Sequence, residues 1–257
     1  MDLVIVGPGR AGGSLARASR AAGHRLVGTL SRSGSTESGP ALSWDEPLPE
    51  CDLAIVAVTD AAIGEVAELL APVWNPETPV VHLSGFAPIS ELDPLAAAGA
   101  SVGSFHPLQT LPDPERGATA LRGAFVAVTA LPALSETLGS LARSLGLEPF
   151  PLADEAKPLY HAAAAAAANY VVEAMAVAHD LLAAADVDWQ VVEPLTRAVI
   201  DNVFAIGPSA ALTGPIARGD LGTVAGQQAA ADSVSDVLGD EFRLLSQATA
   251  RRLGLDL

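Results

Sequence analysis

Asp2-Leu3-Val4-Ile5-Val6-Gly7-Pro8-Gly9-Arg10-Ala11-Gly12 is the stretch that decides the fold. A short uninterrupted apolar run of this kind reads as a strand covered on both faces. The glycines after it have the G-x-G-x-x-G spacing, and residues 10–22 continue with a helical pattern. The spacing alone is common; its place between a strand and a helix gives it meaning. Gly7 permits the tight turn, Gly9 lets the backbone approach a pyrophosphate, and Gly12 allows close helix–strand packing. Pro8, Arg10 and Ala11 complete the loop, and the helix N-terminus offers free amide hydrogens to phosphate oxygens. The stretch points to a dinucleotide-binding turn.

The alternation continues outward from there. Residues 25–30, 53–58, 80–83, 101–104 and 125–129 read as further strands. Between them, residues 60–70, 89–98 and 133–145 read as helices. Val/Ile runs separated by helices imply a parallel sheet with helices on both faces. Beyond residue 154 the strand signal stops. Residues 154–185 form one helical stretch, with Asp154 as its N-cap and Pro158 tolerated in the first turn. Gly207-Pro208 and Gly214-Pro215 divide the remaining chain into shorter helices, the last over residues 232–253. The expected architecture is α/β: a doubly wound Rossmann-type parallel sheet over residues 1–151, then an all-α C-terminal domain over residues 152–257.

Composition narrows the function. Of 257 residues, 50% are hydrophobic and 17% charged, so a packed core is expected and disorder is not. The formal charge of −16 repels nucleic-acid phosphates and anionic lipid heads, arguing against both as partners. Cys51 is the single cysteine, so no internal disulfide or cysteine-based metal cluster is expected, and it reads as a small buried hydrophobe. The first residues lack the features of a signal peptide, and residues 162–185 are too interrupted by polar groups for a membrane span. A cytoplasmic protein is the expectation. Lys157 is the only lysine among the 14 basic residues. Unlike a guanidinium, its amine can lose a proton near neutral pH when partly buried.

Strand ends locate the candidate ligand groups, because ligands of doubly wound sheets sit at the carboxyl ends of the strands. The second strand ends Thr29-Leu30-Ser31-Arg32-Ser33, with no acid until Glu37. An NAD-selective site would carry an acid there. Ser31 with Arg32 suits a 2′-phosphate, so NADP(H) is the expected cofactor. Val58, Thr59 and Asp60 close the third strand and are expected at the nicotinamide ribose, although Asp60 is equally a helix N-cap. Ser84 and Gly85 follow the fourth strand, where His82 reads as structural. His106 and Gln109 follow the fifth and are expected to meet substrate.

The long helix carries Lys157, His161 and Asn169. Lys157 and His161, four apart, share a face and form the expected reacting pair. Asn169 lies about 18 Å further along at 1.5 Å per residue, so it serves to orient the nicotinamide or a loop instead. The lowered pKa expected for Lys157 would make it a general acid, with His161 orienting it. His161 packed among alanines is the plainer alternative. Thr213-Gly214-Pro215-Ile216-Ala217-Arg218-Gly219-Asp220 is either a ligand-approaching loop, with Thr213 at substrate, or an interhelical turn.

GPGRAGGSLA, FHPLQT, KPLYHAA…NY and LTGPIARGD together resemble a bacterial family in which a Rossmann-like domain precedes a helical domain of unknown function (number 2520). More distantly the chain is similar to β-hydroxyacid dehydrogenases, prephenate dehydrogenases and pyrroline-5-carboxylate reductases. The resemblance implies an oxidoreductase whose helical domain dimerises. The β-hydroxyacid dehydrogenases place an asparagine four residues after the lysine, where this chain has His161. The function expected is an NADP(H)-dependent reductase or dehydrogenase of a small keto, hydroxy or imino acid, acting as a homodimer. A non-catalytic NADP(H)-binding redox sensor is the alternative.

Overall fold

The computed structural model of the protein describes residues 1–32 and 39–255, so Ser33 and Glu37 lie outside the described residues. It divides into two compact units, Met1–Ala165 and Ala166–Leu257.

The first unit is built on seven strands: β1 (Asp2–Val6), β2 (Arg25–Leu30), β3 (Leu53–Val56), β4 (Val80–His82), β5 (Val102–Pro107), β6 (Phe125–Ala130) and β7 (Glu148–Pro151). Their order is β2-β1-β3-β4-β5-β6-β7. β1 pairs in parallel with β2 on one side (Leu3 opposite Leu26) and with β3 on the other (Leu3 opposite Leu53). The two faces of β1 feed two cores. Leu3 and Ile5 join Leu15, Phe105, Leu138 and Leu141 on one side of the sheet. Val4 and Val6 join Ile63, Leu70 and Leu92 on the other. The double burial explains why the strand reads as a continuous apolar run. The layers outside it are α1 (Arg10–Ala21), α4 (Pro114–Ala120) and α5 (Pro132–Ser144) on one face, and α2 (Ile63–Leu70) and α3 (Asp93–Ala97) on the other.

The sheet is not parallel throughout. β6 runs antiparallel to β5, with Phe105 opposite Val128, and β7 then follows β6 in parallel. The cause is the connection. Leu108 N donates to Phe125 O at 2.8 Å, so the chain leaves β5 and enters β6 at the same end of the sheet. The intervening α4 packs along α1 instead of carrying the chain back as a crossover. β5 also extends past the expected residue 104 and takes His106 and Pro107 into the sheet.

The sheet ends at Pro151, but the compact unit continues through Ala165, because the long helix α6 (Lys157–Ala184) starts against it. The second unit holds the rest of α6, α7 (Glu193–Ile206), α8 (Pro208–Ala211), α9 (Pro215–Arg218), α10 (Leu221–Val234) and α11 (Asp236–Arg252). The single helix expected over residues 232–253 is broken at Ser235, whose extended backbone ends α10 and whose Oγ accepts from Leu238 N at 3.2 Å to cap α11. Among the described residues no helix is long and apolar enough to cross a membrane.

Gly117 marks the tightest contact between α1 and α4. A Cβ there would lie 2.1 Å from Ser14 Oγ and 2.9 Å from Ser14 Cβ. Ser14 is itself held, its Oγ donating to Arg10 O at 2.6 Å. Gly117→Ala is expected to cost about 1–3 kcal/mol by overpacking, read from urea unfolding midpoints. A variant as stable as the parent would mean that the two helices slide freely.

Candidate active site

Two neighbouring features of the first unit supply the candidate site. The first is the glycine-rich turn. Gly7 adopts φ +87°, a value that glycine accommodates and side chains do not, and a Cβ on it would strike Ala57 O at 2.8 Å. A Cβ on Gly12 would lie 2.3 Å from Gly7 O, so α1 can start this close to the sheet only with glycine there. A Cβ on Gly9 would meet nothing within 4 Å. Its freedom is directed outward, into a cavity of about 770 Å³ that Gly7, Pro8 and Gly9 line. Val58, Thr59, Ser31, Arg32 and Trp44 also line the cavity, and Trp44 Nε1 donates to Ser31 O at 3.3 Å. None of its described lining residues is acidic. Arg32 reaches Glu65 at 3.8 Å, both side chains largely exposed, a pairing too weak to hold the guanidinium away from a ligand anion. Trp44, one of three tryptophans and not singled out in the sequence, is among the residues lining the cavity.

The second feature is a fastened loop after β4. His82 is fully buried, and its Nδ1 accepts from Ser84 N at 3.1 Å. Ser84 Oγ accepts from Phe86 N and Ala87 N at 3.0 and 2.8 Å. Ala87 O then accepts from Lys157 Nζ at 2.5 Å. Lys157 is only 1% exposed, and its ammonium lies 3.6 Å from Asp154 Oδ1. Asp154 is not the N-cap of α6. A 3₁₀ turn, Asp154–Ala156, precedes that helix, and the Asp154 carboxylate instead accepts from Ile89 N at 3.1 and 3.2 Å. Lys157 and Asp154 thus hold both ends of the segment Ala87–Ile89.

The ring of His106, from β5, rests against this loop. A Cβ on Gly85 would stand 2.7 Å from the His106 ring, so glycine leaves the seat that the imidazole occupies. His106 Nδ1 shares a 2.8 Å hydrogen bond with the hydroxyl of Tyr160, and the His161 ring centroid is 6.1 Å from that of His106. Tyr160 was not singled out in the sequence, although it is one of only two tyrosines and stands inside KPLYHAA. Burial, with help from His161 and Lys157, lowers His106 to about 4, so it is a neutral imidazole at physiological pH. Burial first, then Lys157, lowers His82 to about 3. Burial also pushes Tyr160 up to about 12. Lys157 lies below the usual lysine range because it is buried, while Asp154 and Asp60 oppose the shift. The expected direction for Lys157 is therefore the one found, with burial as its cause.

Other expected residues are placed differently. Ser84 is engaged inside its own loop and Gly85 seats His106, so neither lines the cavity. Asp60 begins a 3₁₀ turn for which Thr59 holds the N-cap position, so it caps nothing. Gln109 is turned to the local backbone, its Nε2 donating to Ala120 O and its Oε1 accepting from Thr110 N. Arg10 is exposed and is not among the residues lining the cavity. Asn169 and Thr213 are exposed residues of the second unit. The segment from Thr213 to Asp220 has the makings of an interhelical turn: Gly214 and Gly219 take φ +91° and +71°, and Asp220 caps α10 through Thr223 N. Cys51 is half-buried and free, its thiol pushed up to about 11 by burial.

The fold is a Rossmann-like α/β sheet followed by helices. Residues 124–249 match the family described as "Domain of unknown function (DUF2520)". The match spans slightly less than half of the chain and agrees with the resemblance read from the sequence. An oxidoreductase of Bacteroides fragilis, assigned as NADP-dependent, is 22% identical, with TM-score 0.83 over 97% of this chain and 98% of that one. Pyrroline carboxylate reductase of Plasmodium falciparum, solved with NADP bound, is 12% identical, with TM-score 0.66 over 98% of each chain. An imine reductase of Myxococcus stipitatus, solved with NADP+, is 14% identical, with TM-score 0.70 over 98% and 94%. At these identities the likeness establishes the fold. No curated protein matches the chain in sequence.

The neutral histidines set a pH dependence of stability. Unfolded, each titrates near 6.5; folded, His106 and His82 refuse the proton down to about 4 and about 3. The unfolded state binds more protons in between, so their contribution is complete above about pH 6.5 and is lost as pH falls below it. His106→Gln is expected to flatten the fall in urea midpoint between about pH 7 and about pH 5. An unchanged slope would contradict the assignment of a neutral, buried His106.

Proposed function

We propose that the chain is an NADP(H)-dependent oxidoreductase acting on a small keto, hydroxy or imino acid. The observation that carries this reading is the 770 Å³ cavity opened by Gly7 and Gly9, with Ser31 and Arg32 in its lining and no acid among its described lining residues. The open space over Gly9 fits a pyrophosphate approaching the backbone and the N-terminus of α1. Arg32 with Ser31 fits a 2′-phosphate. NADPH would supply the hydride.

The remaining chemistry belongs to this chain's residues. The Tyr160 hydroxyl and His106 are proposed to deliver the proton, with His161 flanking them. Lys157, the acid expected from sequence, is proposed to act through the loop it holds, because its ammonium is buried and engaged by Ala87 O and Asp154. The two assignments separate experimentally. Tyr160→Phe is expected to lower kcat by about 10²-fold with NADPH affinity unchanged. Lys157→Met is expected to lower stability as well as kcat. If Tyr160→Phe keeps full turnover while Lys157→Met loses it without loss of stability, the lysine is the acid.

A homodimer is proposed from the second unit, where Tyr170, Val172, Leu195 and Phe204 stand exposed, Phe204 at 87%. Apolar surface of that kind marks an interface. Light scattering at micromolar concentration is expected to give the mass of a dimer, and Phe204→Glu to give a monomer. A monomeric parent would remove the proposal.

Titrating NADPH and NADH into the parent and Arg32→Ala tests the cofactor. Preference for NADPH by about 1–3 kcal/mol, lost in the variant, is expected. Equal affinities in the parent contradict it. NADPH oxidation against a panel of 2-keto acids and cyclic imines tests the activity, and tight NADPH binding with no turnover on any of them would favour the redox sensor.

A further inference from the structure

Aromatic residues make up only 4% of the chain, yet six rings of the first unit stand in one unbroken row. Phe86 meets His161 at 5.9 Å between centroids, and His161 meets His106 at 6.1 Å. His106 meets Tyr160 at 5.5 Å, Tyr160 meets Phe150 at 6.0 Å, and Phe150 meets Phe125 at 6.4 Å. The row does not lie in the interior. Phe86 and Phe125 are 51% and 56% exposed, and the four rings between them are half-buried. Core packing therefore does not account for it: its end rings face outward where aliphatic side chains would serve a surface equally well.

At the middle of the row His106 is held neutral, and the buried ammonium of Lys157 is engaged by Ala87 O and Asp154. What the row offers is ring faces and edges around one polar point, the hydrogen-bonded Tyr160 hydroxyl and His106. Such a surface selects a flat, unsaturated ring, which can stack or meet the wall edge-on, over a puckered saturated ring of the same size.

We propose that this row is the substrate wall of the site, and that the ligand it takes is a planar unsaturated ring carrying its reactive C=O or C=N beside Tyr160 and His106. The proposal rests on the reading of Tyr160 and His106 as the proton-delivering end of the site. Phe86, which follows the Gly85 seat of His106 and is half exposed, is the end ring beside that seat.

Two neutral ketones of equal size test it. Acetophenone and cyclohexyl methyl ketone differ in ring planarity, and the saturated one is no less apolar. Dissociation constants are measured by saturation-transfer NMR on the full chain with NADP+ present. Acetophenone is expected to bind about three- to tenfold more tightly, the range that aromatic pairing supplies beyond area burial. Phe86→Ala is expected to abolish the preference. Leu131→Ala, a change at another exposed apolar residue away from the row, is expected to keep it. Equal affinities, a preference surviving Phe86→Ala, or no binding of either ketone would overturn the wall. Ring-selective binding without turnover of any compound would overturn the reductase reading and leave the wall standing. Turnover of open-chain keto acids with no selectivity for flat rings would do the reverse.

Discussion

A buried ammonium organises this molecule. Lys157 is almost fully withdrawn from water, and a lone cation there would be strongly destabilising without partners. Ala87 O and the Asp154 carboxylate are those partners. Because Asp154 also accepts from Ile89 N, and Ser84 from Phe86 N and Ala87 N, satisfying one charge fixes the whole loop that follows β4. That loop in turn presents Gly85 to the ring of His106. The single lysine of an arginine-rich chain is thereby explained: a compact ammonium on a flexible stem fits where a planar guanidinium would need more room and more acceptors.

The two halves of the site are built by different means. On the side of the glycine turn, close backbone approach is everything. Gly7 and Gly12 let strand, turn and helix meet at distances that a Cβ would forbid, while Gly9 faces open space. On the other side, side chains dominate, and the row of rings from Phe86 to Phe125 is set by packing between β5, β6, β7 and the start of α6. The first is spelled in six consecutive residues, Gly7 to Gly12; the second is assembled from five separate stretches of chain.

That contrast accounts for what could be read from sequence. β1, the glycine turn and α1 were legible because their signals are local and periodic. β7 was not, since Pro149 and Pro151 argue against a strand; it exists because an edge position tolerates prolines. α4 left a signal that went unread: Asp113 before Pro114 is an N-cap followed by a favoured first-turn proline, and the Asp113 side chain accepts from Glu115 N and Arg116 N. Asp154 looked like a cap by the same rule, but a tertiary donor and the buried ammonium claim its carboxylate. Lys157, His106 and His161 were identified by residue type. Tyr160 and Trp44, whose roles depend on neighbours distant in sequence, were not.

Under the proposed function this chain transfers hydride between NADP(H) and a small molecule, with the glycine-lined cavity and the His106–Tyr160 pair as the two ends of one site. The most direct measurement does not require the substrate to be identified beforehand. The protein is incubated with NADPH deuterated at the transferring carbon and a bacterial metabolite extract, and the products are examined by mass spectrometry. Expected is at least one metabolite that gains a single deuterium with the parent protein and not with Tyr160→Phe. NADPH binding without deuterium entering any metabolite would contradict the claim.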